Sequence, residues 1–103
     1  MTRDGAVKAL ADCRERINEI DRRLVALLNE RTSVVQEIGR IKRECRMPVY
    51  EPKREEEVLR NVTESNGGPM APEAARRIFE RIIDEMRTLQ KLQMESTRER
   101  RTE

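Results

Sequence analysis

The sequence predicts an all-α subunit of three helices, the first of them very long, and three observations carry that expectation. Charged residues make up 41% of the chain and aromatics only 2%. A β-sandwich or barrel draws more heavily on aromatic and β-branched residues. An apolar stripe at three-and-four spacing runs without a proline from about Asp4–Val7 to about Cys45. The four prolines fall at Pro48, Pro52 and within TESNGGPMAP, where Gly67 and Gly68 join them, and divide the remainder into two shorter segments.

The first segment sets the assembly. At 1.5 Å per residue it forms a rod of roughly 60 Å. A compact monomer of this size has a radius of gyration near ~13 Å. The rod does not fit inside such a globule, and its apolar stripe forbids leaving it in water, so the geometry points to a homodimer. The competing reading breaks the helix at Gly39, where glycine costs about 1 kcal/mol relative to alanine. The stripe keeps its phase through Ile38 and Ile41, which favours an unbroken helix.

After the connector RMPVYE, Pro52 suits the first turn of a second helix, with Glu55, Glu56 and Glu57 near its positive end. Val58, Leu59 and Val62 form its small apolar face. Residues 63–72 read as a loop. A third helix opens near Pro72 and Glu73 and carries Ile78, Ile82, Met86, Leu89 and Leu92. The end, STRERRTE, is polar and expected to fray. The organisation expected is one domain over 1–103, with a core of about 7–93 and a polar tail at 95–103.

Composition excludes several classes of function. The 22 basic and 20 acidic side chains leave a net charge of +2, without the basic excess of a nucleic-acid binder. There is no histidine, the commonest general base and metal ligand. Cys13 and Cys45 have no metal-site or redox-pair spacing and read as reduced thiols, so no metal and no cofactor is expected. No apolar h-region opens the chain and no run is long enough to span a bilayer, so the protein reads as soluble and cytoplasmic.

All three segments place polar groups where packing prefers carbon. Arg31 lies among Leu24, Leu27, Leu28, Val34, Val35 and Ile38, in the middle of the stripe. Lys42 follows it by 11 residues, three turns on and only about 20° around the helix. Gln90 follows Ile83 by seven and Met86 by four. Arg54 and Glu55 precede Val58 and Leu59 by four. Buried cations need partners. One reading pairs Arg31 and Lys42 with carboxylates such as Glu55, or lets them snorkel to water. The other makes a cationic pocket for a small dianion, whose carboxylates suit planar guanidinium forks. Two cations aligned on one inner face, with Arg54, Glu55 and Gln90 available, favour the pocket. Arg14 lies about 100° around the helix and roughly 25 Å along it from Arg31. It serves such a pocket only from a partner chain, and otherwise reads as a solvated surface residue.

The segments RERINEIDRRLVALLNERTSVVQEIGRIK, PVYEPKREEEVL and IFERIIDEMRTLQ together resemble the all-helical class of chorismate mutase, over about residues 10–93. Their order and spacing carry the resemblance: ID-x-x-L-x-x-LL-x-x-R, then G-x-x-K, then P-V-x-[DE]-x-x-RE, then a late glutamine. The family forms an intertwined dimer of three-helix subunits and rearranges chorismate to prephenate on the route to phenylalanine and tyrosine. By position, the resemblance implies that Arg14 enters the partner's site and meets a substrate carboxylate. Arg31 would hold the other carboxylate. Lys42 and Gln90 would donate hydrogen bonds to the ether oxygen. Arg54 would stand in the pocket wall. Glu55 would take the ring hydroxyl, with Glu51 at a neighbouring acidic position. Some relatives carry at the Gln90 position a glutamate, which donates only when protonated.

Met86 departs from the pattern, standing where several members have a small hydroxyl residue that helps bind a carboxylate; on the stripe it also reads as core. The length leaves no room for a dehydratase, dehydrogenase or regulatory domain, so a monofunctional enzyme is expected, with a shikimate-pathway enzyme as partner left open. Two rivals stand beside this reading. An isochorismate-pyruvate lyase has the same fold and a similar pocket, although the P-V-x-[DE]-x-x-RE segment favours the mutase. A non-enzymatic helical dimer or adaptor explains the long helix but not the inner-face Arg31, Lys42 and Gln90.

Overall fold

A computed structural model describes residues 1–102, with side chains described as far as Thr97. Three helices follow in order, α1 (Arg3–Glu44), α2 (Pro52–Ser65) and α3 (Pro72–Thr102), with no strand among the described residues. No helix is long and apolar enough to cross a membrane among them.

Helix α1 starts one residue before the expected range because Thr2 caps it. The Gly5 N–H donates to Thr2 Oγ1 at 3.0 Å, and Asp4 adds an acidic group to the first turn. The helix passes through Gly39 unbroken. Gly39 is buried, and a Cβ there would lie 2.5 Å from Gln93 Oε1 and 3.6 Å from Gln90 Cγ. The missing side chain lets α1 and α3 approach closely, which offsets its poor helix propensity.

The end of α1 closes with the Met47 N–H donating to the Lys42 carbonyl at 2.8 Å, while Arg46 takes a left-handed φ of 54°. This is the position where helices usually place glycine. Exposed Arg46 bears the Cβ penalty of that conformation, about 1 kcal/mol. Arg46→Gly is therefore expected to stabilise the chain by about that amount, read as a higher denaturation midpoint with an unchanged slope. A lower midpoint would contradict the strain.

Chain contacts divide the molecule into two units, Met1–Ser33 and Val34–Glu103. The first is the N-terminal run of α1 alone, and none of its residues is buried. Its apolar residues stay in solvent, with Val7 60%, Ile17 55%, Leu24 51% and Leu27 60% exposed.

The second unit contains the core. Among the described residues the buried apolar side chains are Val35, Leu59, Ala75 and Ile83, one or two from each helix. Two polar side chains are buried beside them, Lys42 at 6% and Gln90 at 7% exposure. Val58 and Val62 are half-buried on α2, as are Ile82, Met86 and Leu89 on α3. Ile78 and Leu92, expected on the inner face, are instead 48% and 58% exposed. The packed face of α3 follows the Ala75, Ile83, Gln90 line, and those two lie to its side.

Two expected boundaries move. Thr63, Glu64 and Ser65 belong to α2 rather than to the loop. The hydroxyls of Thr63 and Ser65 donate back to the carbonyls of Leu59 and Asn61, each at 2.7 Å, and so are satisfied inside the helix. The loop proper opens at Asn66, whose side chain accepts from the Gly68 N–H and donates to the Met70 carbonyl. Helix α3 also continues through the polar STRERRT segment to Thr102 instead of stopping before it. Its Glu and Arg residues are good helix formers. The side chains of residues 98–103 lie outside the described residues, as does the last residue of the expected tail.

Candidate functional site

Lys42 lies two residues before the end of α1, and its burial there needs acceptors. The connector supplies two. The ammonium donates to the Val49 carbonyl at 3.1 Å and pairs with Glu51 Oε1 at 2.6 Å. Glu51 is the N-cap residue of α2 and makes no side-chain cap to its own helix. Its carboxylate goes to Lys42 instead. An ammonium has three N–H donors; among the described residues these two acceptors leave one donor of Lys42 for a ligand. Sequence reasoning offered Glu55 as the internal partner of Lys42, and the structure corrects this to Glu51. The connector folds back so that Val49 and Glu51 reach the last turn of α1, whereas Glu55 turns toward α3.

Gln90, seven residues beyond Ile83 on α3, donates from Nε2 to the Val35 carbonyl of α1 at 3.4 Å. That long bond fixes the amide and leaves its second N–H. One turn on, Gln93 Oε1 is buried without a hydrogen-bond partner among the described residues, above Gly39.

Glu55, in the first turn of α2, meets Arg87 of α3 through both oxygens. Arg87 Nε donates to Oε2 at 3.0 Å, and Nη2 donates to Oε1. The guanidinium also lies 5.3 Å from the Tyr50 ring centroid and 3.4 Å from Asp84 Oδ1. The Glu55 hydrogen bond raises the pKa of Arg87 above the ordinary arginine value, against a smaller lowering by desolvation. Arg87 therefore stays charged at any working pH.

The remaining predicted residues are distributed as follows. Arg54 is exposed and pairs with Glu57 of its own helix at 2.7 Å, the ordinary fate of an Arg–Glu pair three apart on a helix surface. No bond among the described residues joins it to Lys42 or Gln90. Met86 is half-buried on α3. Arg14 is exposed and Arg31 half-buried, both within the Met1–Ser33 unit. A cavity of about 460 Å³ opens beside Lys42, walled by Arg43, Met47, Pro48 and Met94. Of the predicted site residues only Lys42 lines it.

Sequence reasoning missed Arg87, Tyr50 and the Val49 carbonyl. A signal for Arg87 was present, since it lies four residues after Ile83 and three before Gln90, within the inner stripe of α3. The Val49 carbonyl had none, because a backbone acceptor is set by the path of the connector.

Three helices whose thin core holds an ammonium and an amide define an all-helical protein built around a buried polar pair. With the match of residues 13–91 to the type II chorismate mutase family, the chain belongs to that family. It is 29% identical to the chorismate mutase of Methanocaldococcus jannaschii, over 88% of this chain and 93% of that one. It is 33% identical to the bifunctional chorismate mutase/prephenate dehydratase of Aquifex aeolicus, covering 82% of this chain but only 25% of that protein. Its fold matches the solved chorismate mutase (form II) of Thermus thermophilus with a TM-score of 0.79 at 37% identity, over 81% of this chain and 94% of that one.

Proposed function

We propose that the protein is a chorismate mutase that rearranges chorismate to prephenate in phenylalanine and tyrosine biosynthesis. The observation that carries this reading is the burial of Lys42 and Gln90, an ammonium and an amide with N–H donors to spare beside the apolar Val35, Leu59, Ala75 and Ile83. The Claisen rearrangement is intramolecular and pericyclic, so it asks for no nucleophile and no proton shuttle. It asks for two things. The enolpyruvyl side chain must be held folded over the ring, an orientation effect. The ether oxygen gains negative charge as its C–O bond breaks, and fixed donors stabilise that charge. In this reading Lys42 and Gln90 are the donors. Arg31 holds one carboxylate, Glu55 takes the ring hydroxyl beside Glu51, and Arg54 swings from Glu57 to close the wall. Met86 bounds the pocket without supplying a hydroxyl.

A second copy of the chain completes the site. Val7, Leu10, Ile17, Leu24 and Leu28 stay exposed along a seven-residue repeat, and Arg14 occupies one of its positions, seven after Val7 and three before Ile17. A homodimer that covers this seam carries Arg14 to the partner's pocket, where it meets the second carboxylate. The catalytic unit is then one domain over about residues 7–93, duplicated. The two free thiols, Cys13 and Cys45, are both exposed, which fits a reducing, cytoplasmic compartment.

Thermal unfolding with and without a small dicarboxylate inhibitor of the mutase tests the pocket apart from turnover. A ligand that binds only the folded dimer raises the melting temperature in step with its concentration. An adaptor-like helical dimer would melt at the same temperature throughout.

A further inference from the structure

We propose that Arg87 is the positioning residue for Glu55, holding the carboxylate in the one plane from which it can accept the substrate's ring hydroxyl. The proposal rests on the reading of Glu55 given above and adds a residue to it.

A glutamate in the first turn of a helix ordinarily swings among several rotamers. Here both carboxylate oxygens of Glu55 are taken side-on by one guanidinium, from Nε to Oε2 and from Nη2 to Oε1. Such a fork fixes the plane of the carboxylate as well as its distance, which a lysine does not do. It leaves room for a ligand, because an ionised carboxylate has about four lone-pair sites and the fork uses one on each oxygen.

The fork is itself held from two further sides. Tyr50 of the connector lies 5.3 Å under the guanidinium carbon, and Asp84, one turn earlier on α3, lies 3.4 Å from Nη2. Arg87 and Glu55 are each about three-quarters buried, with side-chain exposures of 26% and 24%, so the pair is shielded from the screening that weakens surface ion pairs.

The arrangement has a counterpart one turn back on α2. Glu51 and Glu55 are four residues apart, and each is held by a cation from a different helix, Glu51 by Lys42 of α1 and Glu55 by Arg87 of α3. The first pair orients the ammonium proposed for the ether oxygen, and the second orients the carboxylate proposed for the hydroxyl. Arg87 also stands three residues before Gln90, so one stretch of α3 supplies both a donor to the reacting bond and the support for the opposite contact.

A salt bridge that merely pinned α2 to α3 would have the same geometry, so the test uses the coupling of Arg87 to Glu55 in catalysis. Chorismate kinetics are measured on wild type, Arg87→Met, Glu55→Gln and the double variant, well below their melting temperatures. Acting through Glu55, Arg87→Met lowers kcat/KM by about tenfold in the wild-type background. It then changes kcat/KM less than twofold when Glu55 is already glutamine. Equal losses in both backgrounds, or a lowered melting temperature with kcat/KM unchanged, would overturn the positioning role. Should Arg87→Met fail to fold, Arg87→Lys keeps the charge without the fork. A severalfold lower kcat/KM for it supports the proposal, and wild-type kinetics overturns it. A wild-type chain inert toward chorismate overturns the functional reading and this inference together. An active wild type with an indifferent Arg87 overturns the inference alone.

Discussion

Lys42→Ala is expected to lower kcat by about 10²–10³-fold, the usual cost of removing one preorganised donor from a developing oxyanion. The loss should fall on kcat more than on KM, since the oxygen needs the charge most while its bond is breaking. Folding should survive. Lys42 is buried, but the Glu51 carboxylate it leaves behind is 44% exposed and can be hydrated where it stands. The variant should therefore keep the helical circular dichroism of the wild type. Activity within about tenfold of wild type, at intact folding, would remove Lys42 from the mechanism.

The second large effect concerns Gln90. An amide donates its hydrogen bond at every pH, so the wild type is expected to hold its activity from neutral to mildly alkaline conditions. Gln90→Glu replaces that donor with a group that donates only while protonated. The carboxyl titrates near about 4.3 in water, and burial in this core raises that value. Activity of the variant should therefore fall as pH rises through the raised pKa, where an ionised carboxylate faces the oxygen that is gaining negative charge. At pH 8 the deficit should reach about 10²-fold, and it should narrow on acidification. Gln90→Ala lacks the donor at any pH and should be slow throughout. A wild-type profile that drops steeply below pH 8, or a Gln90→Glu profile parallel to wild type, would contradict the role of the amide.

The buried pair was legible in the sequence because burial on a helix follows from spacing. Lys42 continues the stripe through Ile38, Gln90 continues the line from Ile83, and both are buried. Their partners were not legible. Whether Lys42 meets Glu51 or Glu55 depends on how six connector residues turn, and periodicity says nothing about a turn. The Arg87–Glu55 pair joins residues 32 apart on different helices, so it needs the packing of α2 on α3.

Arg14 shows a different reason. On a straight helix of 3.6 residues per turn it lies far around from Arg31, which separates the two. On the seven-residue repeat that Val7, Leu10, Ile17, Leu24 and Leu28 follow, both arginines fall on the same seam. The two periods drift apart by about 20° per heptad, so the choice of period decides which residues of a long helix are grouped on one face. The end of α2 was misplaced for a third reason. Thr63 and Ser65 look like loop residues until their hydroxyls find carbonyls one turn back.

The most direct test is to follow the loss of chorismate absorbance with purified protein and identify the product. Enzyme-dependent disappearance of chorismate with prephenate as the product is the result predicted here. Chorismate left unchanged by the folded chain would contradict it. Pyruvate released from isochorismate by the same preparation would assign the buried Lys42 and Gln90 to the cleavage of that ether bond instead.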